Sequence, residues 1–84
     1  MANIYPRDYL INKKFIYLGK EKNYYNKLCL LVVHRYNTGD YYMLSLYDPI
    51  TTKINIKPDA PAIKKDDFIR CELFNEEKYP EYFI

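Results

Sequence analysis

Two long β-rich runs separated by four polar residues constrain this chain more than any other feature. Leu28 to Tyr36 reads LCLLVVHRY and Tyr41 to Tyr47 reads YYMLSLY, with Asn37-Thr38-Gly39-Asp40 between them. Val32 and Val33 favour extended backbone, because branching at Cβ restricts the side chain against the preceding turn of a helix. A short polar connection containing Asn and Gly between two such runs predicts a hairpin.

Three further segments read as strands. Phe15 to Leu18 follows the basic step Lys13-Lys14 and stops at Gly19. Lys53 to Lys57 is reached through Asp48-Pro49-Ile50-Thr51, where Asp can bond the backbone ahead of it and Pro presets the turn dihedral. Phe68 to Phe74 follows a Pro-interrupted loop from Pro58 to Asp67. Gly19 and Gly39 are the two glycines of the chain, and both read as turn or bulge positions. No stretch has the periodicity of a normal amphipathic helix; Asp8 to Lys13 and Asp59 to Lys65 can each form one short turn. The expected fold is mostly β: a small five-stranded antiparallel barrel, closed or half-closed, OB-like or SH3-like, or else a strongly twisted sheet. Closure would remove the edges that a short β protein must otherwise protect.

At 84 residues the chain reads as a single domain, 1–84, with 75–84 forming an acidic aromatic C-terminal segment. A domain of this size buries roughly 60–65% of the surface its unfolded chain exposes. Hydrophobic residues at 49% supply enough apolar surface to fold without metals or crosslinks.

Alternation assigns faces along each strand. Tyr42, Leu44 and Leu46 are expected inside, with Tyr41, Met43, Ser45 and Tyr47 opposite. Ile54 and Ile56 are expected inside, with Lys53, Asn55 and Lys57 outside. Ile69, Cys71 and Leu73 are expected inside, with Phe68, Arg70, Glu72 and Phe74 facing away. Ile16 and Leu18 are expected inside, leaving Phe15 and Tyr17 outside. Leu28 to Val33 is apolar on both faces, as a central strand should be.

The chain holds 11 Tyr against 4 Phe and no Trp, and tyrosine suits both sheets and interfaces. Charge is uneven. Met1 to Lys57 carries nine Lys/Arg and four acids, and Pro58 to Ile84 carries four bases and seven acids. A basic body with an acidic end is a recurring layout among proteins that meet polyanions. The expected function is therefore non-enzymatic binding of single-stranded nucleic acid, DNA or RNA. Bases would stack on Tyr17, Tyr41 and Tyr47, while Arg35, Lys53, Lys57 and Arg70 contact phosphates. The alternative is a small phage or mobile-element protein that binds and inhibits a host defence or replication enzyme, or forms a homodimer, through the same aromatic surface. The C-terminal Tyr82, Phe83 and Ile84 either dock into a partner protein or fold back on the sheet.

Catalytic signals are weak. His34 is the one histidine and lies within a strand-like run, with no nucleophile and orienting acid arranged around it. Two isolated glycines cannot build a phosphate-binding loop. No enzyme activity, cofactor, small-molecule substrate or metal is expected. Cys29 and Cys71 are 42 residues apart and form no C-x-x-C pair, so they read as two buried free thiols in a reducing compartment, with a single disulfide as the alternative. With no basic-then-apolar start and no apolar run longer than Leu28 to Val33, the expected location is the cytoplasm, away from membranes.

Overall fold

The computed structural model describes residues 3–78. In chain order its elements are β1 (Asn3–Pro6), α1 (Arg7–Leu10), β2 (Phe15–Tyr17), β3 (Leu28–Tyr36), β4 (Gly39–Asp48), β5 (Lys53–Asn55), β6 (Ala62–Ile63) and β7 (Phe68–Leu73). All strands join one antiparallel sheet in the order β1-β7-β2-β3-β4-β5, with β6 pairing β4 beside β5. The mostly β expectation holds. No pairing among the described residues joins β1 to β5 or β6, so the sheet stays open rather than closing into a barrel.

The β3–β4 hairpin is the longest ladder, running without a bulge from Cys29↔Leu46 to Tyr36↔Gly39. Its turn is tighter than the four polar residues suggested, because Gly39 already belongs to β4. Gly39 has φ of 128°, a value that side chains with a Cβ rarely adopt. At the other end of β4, Asp48 Oδ1 accepts from the amides of Ile50 at 2.9 Å and Thr51 at 3.3 Å. These two bonds hold the Asp48 carboxyl below its ordinary range and fix the turn into β5.

Two strands lay outside the sequence reading. β1 pairs with β7, from Asn3↔Cys71 to Pro6↔Phe68. β6 falls inside the segment expected to form a helical turn at Asp59 to Lys65. Pro61 has no amide to donate, but its carbonyl accepts from the Leu44 amide at 3.0 Å and leads the chain into pairing with β4. The other expected turn is present as α1, which begins one residue before Asp8 and ends at Leu10.

One face of the sheet carries the core. Leu10, Phe15, Tyr17, Tyr24, Cys29, Leu31, Leu44, Ile69 and Cys71 form a buried cluster, with Tyr5, Tyr42, Leu46, Ile63 and Leu73 packed against it. Because that single cluster draws on every strand except β5, the sheet must curve around it. The expected inward residues of β4 and β7 are confirmed by this list. Cys29 and Cys71 are free and buried, as expected, and burial pushes both thiols up to about 12.

Two face assignments need correction, although Ile16, expected inside, is buried at 2% exposure. Phe15 and Tyr17, expected outside, lie opposite Cys29 and Cys71 on the core face and are 0% and 6% exposed. Every residue of Phe15 to Leu18 is apolar, so alternation carried no information there; pairing on both sides decides the register. In β5, Asn55 rather than Ile54 takes the core-side register, opposite Leu46. Ile54 is opposite Tyr47 and exposed, and Ile56 is exposed beyond the end of the strand. The Asp48 turn sets this register, and it outweighs the local apolar pattern. Among the described residues, no helix is long and apolar enough to cross a membrane.

Candidate interaction surface

The face opposite the core carries the exposed aromatic residues of the hairpin. The ladder places His34 opposite Tyr41, Val32 opposite Met43 and Tyr36 opposite Gly39, all on this face. The rings form a chain. His34 and Tyr36 stack with centroids 6.2 Å apart, and Tyr36 meets Tyr41 edge-on at 5.3 Å. Thr38 Oγ1 lies 3.1 Å from the Tyr41 hydroxyl and fixes that ring over the turn. Tyr36 is 59% exposed and Tyr41 40% exposed. Beside them lies a cleft of about 480 Å3, lined by Tyr36, Asn37, Thr38, Tyr41, Met43 and Ala62. None of those six residues is charged.

The residues expected to bind nucleic acid do not converge on one groove. Tyr17 is in the core; its hydroxyl accepts from the Glu21 amide at 3.3 Å, and burial raises its pKa. Tyr41 and Tyr47 share a face but are six residues apart on β4, or about 20 Å. The Lys14 ammonium lies 5.0 Å from the half-buried Tyr47 ring. Arg70 is exposed on the same face, but β2 and β3 separate its strand from β4. Arg35 and Lys53 are exposed on the core-side register of the sheet, opposite Asp40 and Asp48. Lys57 follows β5 in a turn, where its carbonyl accepts from the Ala60 amide at 3.0 Å. Tyr82, Phe83 and Ile84 lie outside the described residues.

Arg70 lines a second cleft of about 420 Å3 together with Lys20, Glu21 and Asp67, so the charges there are of both signs. Among the described residues, no three His, Cys, Asp or Glu side chains come together as a metal-binding set.

Sequence reasoning missed Tyr36 and Met43 as neighbours. The available signal was Gly39: with the turn confined to Asn37 and Thr38, residues 32, 34 and 36 fall on the face of 43, 41 and 39. No protein-family model, curated protein or solved structure matches the chain.

Proposed function

We propose that this chain is a non-enzymatic protein-binding module that engages its partner through the Tyr36–Tyr41–Met43 surface of the β3–β4 hairpin. The observation that carries this reading is the uncharged, aromatic character of that surface. Tyrosines held by ring contacts give a large contact area at small cost in conformational entropy, and interface cores are depleted in charge. Single-stranded nucleic acid requires the reverse: cations tracking a backbone beside the stacking rings. Arg35 and Lys53 belong to the opposite face, and Tyr17 is unavailable for stacking, so that reading has less support. A binding protein of this kind acts by occupying a surface of its target, which suits an inhibitor of a host protein.

The test is affinity capture from a lysate of the native host, with and without nuclease, comparing the wild-type chain with the double variant Tyr36→Ala, Tyr41→Ala. The expected result is a defined protein, recovered equally after nuclease treatment and lost with the variant. A partner would then be confirmed by calorimetric titration of the purified pair. Recovery of nucleic acid alone, bound equally by the variant, would return the assignment to nucleic acid binding.

A further inference from the structure

β3 has an open edge. On its β2 side it pairs only through Leu28 and Cys29, and beyond Cys29 no described strand lies beside it. The ladder determines which backbone groups are left there. The Leu44 amide donates to the Pro61 carbonyl, away from β3. In an antiparallel pair Leu31, opposite Leu44, must then turn its own N–H and C=O away from β4. Because the register is unbroken, the same holds at Val33 and Arg35. These three residues present a row of backbone donors and acceptors with no backbone partner on that side among the described residues.

Charge selects what can pair there. β3 contains Arg35 and His34 and no acid, and Lys13 and Lys14 precede β2 at the end where its pairing with β3 stops. Asp40 faces Arg35 across the ladder, but no ion pair joins them. Leu31 and Val33 on the core face and Val32 on the other supply apolar contacts between the two basic ends. We propose that this edge receives an extended segment of the partner protein as an added strand, with apolar residues at its centre and acidic residues toward its ends. Main-chain bonds supply affinity in such strand addition, and flanking side chains supply specificity. A second copy of this chain fits less well. Antiparallel pairing about Val33 would place its Arg35 opposite Leu31, at the Lys13-Lys14 end, and add like charge. The proposal rests on the partner being a protein, as argued above.

The test uses the full chain and a synthetic peptide, acetyl-Thr-Glu-Glu-Val-Val-Val-Glu-Thr-amide, with a control peptide carrying Lys for each Glu. Amide hydrogen exchange followed by NMR should show the exposed Val33 and Arg35 exchanging fast in the free protein and the buried Leu31 more slowly, while Val32 and His34 are protected by β4. Saturating acidic peptide should protect Val33 and Arg35. Arg35→Glu should weaken the acidic peptide by roughly tenfold and favour the lysine peptide. Val33→Pro removes an edge donor that the β3–β4 ladder does not use, and should weaken binding by roughly tenfold or more. Equal binding of both peptides, no binding at millimolar peptide, or binding that leaves the Val33 and Arg35 amides unprotected would each overturn the proposal. So would light scattering that finds a dimer whose edge amides are already protected. If the hairpin double variant loses its captured partner while the edge amides stay unprotected in the complex, the edge proposal falls and the hairpin reading stands.

Discussion

The Arg7 guanidinium lies 4.3 Å from the centroid of the Tyr42 ring, while its Nη1 donates to the Ile63 carbonyl at 3.2 Å. A residue just after β1 thus reaches β4 and β6, at the far side of the sheet from β1. Its side chain is only 11% exposed, and Nη2 also pairs with Asp8 at 2.8 Å. This clamp helps an open sheet keep its curvature.

Arg7→Ala should therefore destabilise the fold by about 1–3 kcal/mol, through lost packing, the cation–π contact and an abandoned carbonyl. For a domain of this size each kcal/mol lowers Tm by roughly 4–8 °C, which calorimetry resolves. Arg7→Lys should recover little, since an ammonium cannot both stack on the ring and reach the carbonyl with a planar fork. An unchanged Tm for Arg7→Ala would remove the clamp from the account.

Gly19 has a steric role. A Cβ there would collide with the Tyr17 phenol, which is held in the core and accepts from the Glu21 amide. Gly19→Ala should cost about 1–3 kcal/mol in denaturant unfolding, as overpacking does. In the double variant Tyr17→Phe, Gly19→Ala the clash with the hydroxyl is relieved, so the two costs should fall short of additive.

Tyr24 is buried, and its hydroxyl has no hydrogen-bond partner among the described residues. Tyr24→Phe removes that group without removing the ring, and should leave stability unchanged or raise it by up to about 1 kcal/mol. A loss larger than this in the same unfolding assay would show that the hydroxyl is satisfied in solution.

Burial of Cys29 and Cys71 gives alkaline stability a definite sign. Both thiols are pushed up to about 12 in the fold, against an ordinary value near 9 in the unfolded chain. Between those values the unfolded chain releases thiol protons that the native chain keeps, so rising pH favours unfolding. Their contribution is intact below about pH 9 and falls by about 1.4 kcal/mol per thiol for each further pH unit. Tyr17 and Tyr24, raised chiefly by burial, add a loss of the same sign above about pH 10. The double variant Cys29→Ala, Cys71→Ala should flatten this limb in urea unfolding between pH 8 and 11. In the native wild-type chain at pH 8, neither thiol should react rapidly with a thiol reagent.

Tyr36 and Tyr41 are exposed enough that replacing both with Ser should change stability by no more than about 1 kcal/mol, yet cost 2 kcal/mol or more in binding a partner. Circular dichroism on the free variant, beside titration of the partner, separates the two effects.

The sequence by itself determined the strand-rich character of the chain, the central hairpin, and the core faces of β4 and β7. Each of those follows from a local pattern: β-branched runs, a Gly-containing turn, or apolar residues at alternate positions. Alternation could not orient Phe15 to Leu18, where every residue is apolar, and it misled at Ile54, whose register is set by the Asp48 turn. β1 and β6 were invisible because neither carries a local strand pattern; each exists by pairing with a partner far away in the chain. The candidate site depended on such long-range decisions. The sequence supplied the tyrosines and the cations, but only tertiary pairing buried Tyr17, separated Arg35 and Lys53 from Tyr41, and gathered Tyr36, Tyr41 and Met43 beside one uncharged cleft. It also left the β3 edge open, because β2 ends after three residues while β3 runs for nine.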